Sequence, residues 1–216
     1  EDGIRDVAVT GVQTCALPIS ALPPSEAAVA ASAAATPFDP TIDPANALLL
    51  RSRPGSNRVI YLDFDGYTVS GTSWANYTGG ACTADAYDTD GVPGSFSTSE
   101  RNNIVSVWRR VAEDYAPFEV DVTTEDPGYD AINRSSSSDT QFGTRLIITY
   151  SKSLCPNGQT MYASICSGGC GGIAYGGVFD NTGSNHDYYQ PAIVFQNGRS
   201  EEHTSELQSR LHLVCR

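Results

Sequence analysis

Continuous apolar runs along the chain predict buried β-strands. Residues 58–64 (RVIYLDF) and 145–150 (RLIITY) are apolar almost throughout, a pattern typical of strands covered on both faces of a sheet. Residues 118–123 instead alternate between apolar and polar side chains, which predicts a strand with one exposed face. The serine run at residues 135–138 is predicted to be a loop.

One long helix is predicted between the strands at residues 58–64 and 118–123. Ser97–Glu100 has the spacing of a capping box, in which the serine and glutamate side chains satisfy each other's backbone N–H groups. Apolar residues then recur at helical intervals, at Ile104, Trp108, Val111 and Tyr115. A helix from about Thr98 to Asp114 is therefore expected to pack on the sheet, with Pro117 beyond its end.

Two more strands are predicted near the end of the chain, at residues 172–179 and 191–195. The first carries internal glycines, which favour a sheet edge because glycine weakens a strand but permits close backbone approach. A strand, a helix and then four strands predict an α/β fold with one mixed, mainly parallel sheet. Such a chain has too few helices for the second sheet face, so a further element is expected after Phe195.

Both ends of the chain read as translated sequencing adapter. Residues 9–19 and 199–209 match one reading frame of a common adapter and of its reverse complement. The short stretches outside them fit the flanking primer and a shared index. Residues 1–19 and 199–216 are therefore interpreted as non-native and are left out of the fold prediction.

The composition of the remaining chain indicates how it is divided and which classes of partner it can bind. Residues 20–45 are rich in Ala and Pro and poor in large apolar side chains, which predicts a pro-segment or linker and leaves residues 46–198 as the folded domain. The whole chain carries a net charge of −12, which repels phosphate backbones and anionic lipids. No apolar run is long enough to cross a bilayer. We expect a monomer that binds neither nucleic acid nor membranes.

Four cysteines lie between the adapter-like ends, namely Cys82, Cys155, Cys166 and Cys170. An even number of cysteines in a chain rich in Gly and Ser predicts two disulfides in an exported protein, and three pairings are open. A structural zinc site with four thiolates is the rival interpretation. It is disfavoured because Cys166 and Cys170 have no second closely spaced pair to match them.

Three stretches, taken in order, resemble the metzincin zinc metallopeptidases, in particular secreted bacterial members akin to the reprolysins. They are Val59–Gly66, then Ile104–Thr124, then Gly172–Gly177 followed by Pro191–Phe195. Together they span most of residues 58–197. The resemblance implies a secreted zinc endopeptidase that hydrolyses peptide bonds through a metal-activated water.

The same resemblance assigns a substrate-binding strand. In that family the matching strand is the antiparallel edge of the sheet and holds the substrate peptide as an added strand, which here implies Ile173, Ala174, Tyr175 and Gly176. Main-chain hydrogen bonding suits an enzyme that must accept many side chains. A glycine-containing edge strand that binds nothing is the plainer alternative.

The zinc ligands of that family are missing from this chain. They lie in His-Glu-x-x-His-x-x-Gly-x-x-His on a helix, where the glutamate is the general base. The only histidine between the adapter-like ends is His186, in the polar run 181–187, and it is predicted to be an exposed loop residue. We therefore expect a partial catalytic domain that is inactive, with Ile193 and Phe195 or their neighbours lacking packing partners.

Two other functions remain open from the sequence. Leu62–Gly66 also resembles the first motif of haloacid-dehalogenase-like phosphohydrolases, which would make Asp63 a nucleophile and Asp65 an acid and base. Thr149 and Lys152 are candidates for supporting roles, although Tyr67 stands where that family has threonine.

The other open function is a non-catalytic secreted module. In that interpretation the cysteine loop, residues 155–170, presents four side chains to a partner, namely Asn157, Gln159, Tyr162 and Ser164.

Overall fold

Residues 42–166 and 169–196 are described by the computed structural model of the chain, and all of them fall within one compact unit. The adapter-like ends, residues 1–19 and 199–216, lie outside the described residues, as does most of the Ala/Pro-rich stretch. No helix of the described part is long and apolar enough to span a membrane.

The described chain is a mixed α/β structure. Its strands are β1 (Arg58–Asp63), β2 (Tyr67–Val69), β3 (Cys82–Ala84), β4 (Asp121–Thr123), β5 (Phe142–Thr149), β6 (Gly172–Ile173) and β7 (Ala192–Phe195). Its α-helices are α1 (Ala75–Thr78), α2 (Thr98–Asp114), α3 (Tyr129–Ile132), α4 (Met161–Ile165) and α5 (Ser184–Tyr188). A 3₁₀ turn at Pro44–Asn46 precedes β1.

Five strands form one sheet in the order β4-β1-β5-β7-β6. The pairs β4·β1, β1·β5 and β5·β7 are parallel, whereas β6 runs antiparallel to β7 at one edge. This confirms the predicted mixed, mainly parallel sheet. Strands β2 and β3 form a separate antiparallel pair.

The first face of the sheet packs against α2. Side chains that alternate along the strands build this cluster, among them Ile60, Leu62, Val122, Leu146, Ile148 and Val194. Helix α2 contributes Ile104, Trp108 and Val111 to it, and the Trp108 indole N–H donates to the Val122 carbonyl at 2.8 Å. The capping box is present, with both the Ser97 and Glu100 side chains bonded to the backbone, so the predicted helix is confirmed with its bounds.

The second face is covered by short elements rather than by a long helix. Ile147, Ile193 and Phe195 pack there with residues from β2, β3, α4 and the segment before α1, among them Val69, Trp74, Cys82, Ala84 and Met161. Ile193 and Phe195 are each 0% exposed. The expectation that they lack partners is therefore wrong, because segments without a clear periodic pattern supply the cover.

Strands β4 and β5 differ in extent from their predictions. The half-exposed strand predicted at residues 118–123 is reduced to β4, and all three of its residues are buried. Strand β5 begins at Phe142, earlier than predicted. It can do so because Gly143 lies against β1, where a Cβ would come within 2.3 Å of the Val59 carbonyl oxygen.

The four described cysteines form two disulfides, Cys82–Cys155 and Cys166–Cys170. The two-disulfide interpretation is confirmed, and the structure selects one of the three open pairings. A zinc site made of four thiolates is excluded for these residues, since all four sulfurs are covalently paired.

Candidate peptide-binding edge

The two edges of the five-stranded sheet are treated differently by the chain. Arg51 forms an antiparallel bridge with Thr123 of β4, and the Ser52 N–H donates to the Val122 carbonyl at 3.0 Å. The carboxylate of Asp121 accepts from the Arg51 side chain and the Arg53 N–H, each at 2.9 Å. The β4 edge is therefore closed, whereas β6 pairs only with β7 among the described residues.

The pairing of β6 stops after Ile173 for a chemical reason. In the antiparallel register Ile173 lies opposite Ile193, which brings Tyr175 opposite Pro191. Proline has no N–H to donate, and the Pro191 carbonyl instead accepts from the indole N–H of Trp74 at 2.8 Å. The long strand predicted at residues 172–179 is therefore wrong beyond Ile173.

Of the four substrate-edge residues predicted from the resemblance, Ile173 ends β6, and Ala174, Tyr175 and Gly176 follow it directly. Ile173 and Tyr175 pack against the second-face cluster, and Ala174 packs against the first-face cluster, so the side chains still alternate beyond the paired residues. All three are partly buried, whereas Gly176 is exposed. Gly172 anchors the strand closely, since a Cβ there would come within 2.9 Å of the Ile193 carbonyl oxygen.

Beside this edge lies an aromatic cluster that the sequence did not predict. Its five members are Trp74, Tyr77, Tyr175, Tyr188 and Tyr189. Their rings form a chain of contacts in the spatial order Tyr77, Trp74, Tyr175, Tyr189, Tyr188. The ring centroids are 6.1 Å apart for Trp74 and Tyr77, 4.6 Å for Trp74 and Tyr175, 5.1 Å for Tyr175 and Tyr189, and 5.0 Å for Tyr188 and Tyr189. Burial in this cluster raises the pKa of the Tyr175 hydroxyl. The residues come from three separate segments, so no local pattern could reveal them.

The described part of the cysteine loop contacts the rest of the protein, although the Asn157 and Gln159 side chains are exposed. The Asn157 amide donates to the Tyr77 carbonyl at 2.8 Å and to the Ser164 hydroxyl at 2.9 Å. The Tyr162 ring lies edge-on against Phe195 at 5.3 Å. Of the four side chains predicted to face a partner, Asn157, Tyr162 and Ser164 thus have intramolecular contacts, and Gln159 is exposed.

Asp63, at the end of β1, belongs to a buried ionic group, whereas Asp65 in the following turn is exposed. Asp63 is 0% exposed and pairs with the Arg145 guanidinium, whose other nitrogen lies 4.0 Å from an Asp126 carboxylate oxygen. Burial, together with the hydrogen bond to the neighbouring Asp65 carboxyl, raises the pKa of Asp63 to about 7 against the opposing effect of Arg145. Burial also raises the pKa of Tyr61, whose hydroxyl lies 3.4 Å from Asp65.

The residues proposed to support a phosphohydrolase point elsewhere. The Thr149 hydroxyl donates to the Asp85 carbonyl at 2.6 Å, and the Lys152 ammonium pairs with Asp88 at 2.6 Å. That hydrogen bond from Lys152 lowers the pKa of Asp88.

Near Lys152, one group of carboxylates in the described chain has the spacing of cation ligands. Asp88, Asp90 and Glu100 lie within 4.8 Å of one another. Their oxygens already accept hydrogen bonds from the backbone. Glu100 accepts from Thr89 and Ser97, at 2.6 and 2.9 Å, and Asp88 accepts from Gly91 at 2.6 Å. The closeness of these carboxylates is explained by their hydrogen bonds, in which Glu100 caps α2 and Asp88 stabilises a turn.

The prediction that His186 is an exposed loop residue is wrong. His186 lies in α5 and is 0% exposed. Its Nε2 lies 2.9 Å from the Ile132 carbonyl oxygen and 2.7 Å from the Gln190 amide nitrogen. Contacts with Ile132 of α3 and Phe142 of β5 bury this one side chain while most of its neighbours stay exposed. The polar sequence around it carries no apolar pattern that would indicate burial.

The described residues do not fit a catalytic zinc ion. Such a site needs several free imidazole, thiolate or carboxylate ligands converging on one point. His186 is the one described histidine and is fully buried, and the four described cysteines are oxidised. The other two histidines of the chain, His203 and His212, lie outside the described residues.

No protein-family model, curated protein or solved structure matches this chain. What the chain can do must therefore follow from its own residues and their placement.

Proposed function

We propose that the chain carries the substrate-binding part of the catalytic domain of a secreted, zinc-dependent endopeptidase of the metzincin class. The open antiparallel edge at β6 is the observation that carries this proposal. The family resemblance assigned substrate binding to Ile173 of β6 and to the three residues that follow it. Strand β7, adjacent to β6, is the strand that in such enzymes leads into the zinc-binding helix.

A free strand edge binds polypeptides through chemistry that every peptide shares. An extended peptide beside β6 gains main-chain hydrogen bonds at the usual inter-strand spacing of about 4.8 Å. Its side chains project to either face and leave the ladder unaffected. The closed β4 edge cannot do the same, because residues 50–53 already occupy its outer side.

The chain as it stands should bind peptides without cleaving them. Zinc would supply the activated water in the parent enzyme, but the described residues do not hold that ion. We assign its ligands to residues other than those described. Secretion is supported by the two disulfides, which form and persist in oxidising compartments.

The phosphohydrolase alternative is less well supported. A nucleophilic carboxylate must reach its substrate, whereas Asp63 is fully buried and paired with Arg145. Thr149 and Lys152 bond to Asp85 and Asp88 instead. These contacts favour a structural role for the aspartates.

Hydrogen–deuterium exchange with a bound peptide tests the proposal. The probe is a short capped peptide of Ala, Ser and Thr, and the matched control is the same peptide with N-methylated backbone nitrogens. The peptide should slow exchange at residues 172–176 and leave residues 121–123 unchanged, and the methylated control should have no effect. Protection at neither edge, or equal protection by both peptides, would contradict edge-strand binding.

A further inference from the structure

We propose that the aromatic cluster beside β6 makes this edge selective for peptides with aromatic side chains at alternate positions. The inference rests on the proposed function and adds the substrate class. The cluster is the five-residue group defined above, Trp74, Tyr77, Tyr175, Tyr188 and Tyr189.

The cluster is held in place by contacts that do not involve a ligand. Trp74 is 2% exposed and bonded to Pro191, and the Ser73 N–H donates to the Tyr188 carbonyl at 2.8 Å. The Asn76 amide donates to the Tyr188 hydroxyl at 3.3 Å. These bonds join α1 and the two residues before it to the end of α5 and to Pro191, so the rings are positioned before any peptide arrives.

The outer rings of the cluster face solvent. Tyr77 is 53% exposed and Tyr188 is 38% exposed, while Trp74 beneath them is buried. Packing of the core does not require two large rings at the surface. Ring contacts through Trp74 and Tyr189 connect them to Tyr175. A peptide on β6, the open edge of the five-stranded sheet, passes beside Tyr175 and so comes next to the cluster.

Strand geometry sets which peptide side chains meet the rings. Tyr175 projects to the second face of the sheet, whereas Ala174 projects to the first. Directly opposed side chains on neighbouring strands have Cβ atoms about 4.5–5.5 Å apart. Every second peptide side chain therefore comes beside the aromatic cluster, and the others meet the small Ala174.

Ring-to-ring contacts give this arrangement its selectivity. Aromatic pairs contribute beyond the area that they bury, by an amount equal to roughly two- to tenfold in affinity. A peptide with tyrosines at alternate positions should bind more tightly than an alanine peptide by about that factor. A peptide with two adjacent tyrosines should gain less affinity, because only one of the two side chains can face the cluster.

Fluorescence anisotropy with matched peptides tests the inference on the full chain. The probes are a labelled Ala/Ser peptide and the same peptide with tyrosine at alternate positions. The ratio of their affinities should fall to near one in Tyr77→Ser and in Tyr188→Ser, whose side chains are exposed. The control variant Phe118→Ser removes another exposed ring, 57% exposed, and should keep the wild-type ratio.

The outcomes separate this inference from the proposed function. Equal binding of both peptides, or a ratio that neither tyrosine variant changes, would overturn the aromatic selectivity while leaving edge binding intact. Failure of both peptides to bind would overturn both proposals. Binding of a soluble oligosaccharide that competes with the tyrosine peptide, without protection of residues 172–176, would assign the rings to a sugar and overturn the inference.

Discussion

At the scale of single residues, buried polar groups set how the molecule responds to change. Asp63 and His186 are both 0% exposed, and each bonds through one side-chain atom to a partner distant in sequence. Neither partner could be found from local patterns. Arg145 pairs with Asp63 only because β1 and β5 are adjacent, and His186 meets Ile132 across 54 residues.

Replacing Asp63 should change how stability depends on pH. Its pKa is about 7 in the folded protein, above the roughly 3.9 of an unfolded chain. Between these values the native state keeps a proton that the unfolded state has released, so stability falls as pH rises, by up to about 1.4 kcal/mol per pH unit. Urea unfolding across this pH range measures the free energy of unfolding. It should fall less with rising pH in Asp63→Asn than in the wild type. Equal falls would refute the raised pKa.

Replacing His186 tests whether that residue is buried. His186→Ala should lower the free energy of unfolding by about 3 kcal/mol, since it leaves a cavity and an unsatisfied Ile132 carbonyl. Chemical denaturation measures the change. As the matched control, Asn185→Ala alters an exposed neighbour and should have little effect. Near-wild-type stability of the His186 variant would restore the exposed-loop interpretation.

At the scale of elements, the sequence predicts what local physics determines. Helix α2 was predicted with its bounds because a capping box and an apolar stripe both lie within it. Strand β6 was predicted too long because its end depends on Trp74, which lies 117 residues from Pro191. Strand β4 was predicted to be half-exposed because nothing local shows that residues 50–53 cover it.

The two disulfides should differ in their contributions to stability. Cys82–Cys155 joins residues 73 apart, whereas Cys166–Cys170 joins residues 4 apart. On loop-closure entropy alone, the long loop contributes roughly 4 kcal/mol and the short one roughly 2 kcal/mol. Calorimetry of the two double alanine variants should therefore show the larger loss for Cys82 and Cys155. The reverse order would contradict the observed pairing.

At the scale of the whole molecule, fold class was predictable and the second sheet layer was not. Strand patterns indicated a mainly parallel sheet, and the structure has one. The pair β2·β3, the short helices and the Cys82–Cys155 disulfide cover the second face. No periodic sequence pattern predicts these contacts. The aromatic cluster beside β6 was missed for the same reason.

The intact chain should be catalytically silent. Purified protein incubated with zinc should retain no stoichiometric catalytic ion after dialysis and should leave casein uncleaved, because the described residues offer no converging set of ligands. Metal analysis and gel electrophoresis measure both. Proteolysis that a chelator abolishes would place a complete active site in this chain.

The central claim, that this chain comes from a zinc endopeptidase, is tested most directly by sequencing the source gene again, through and beyond codon 198, from an independently prepared template. The account predicts a His-Glu-x-x-His motif within roughly 25 codons, on a segment that follows β7. A reading frame that continues without clustered histidines, or that carries a late acidic phosphatase motif instead, would contradict it.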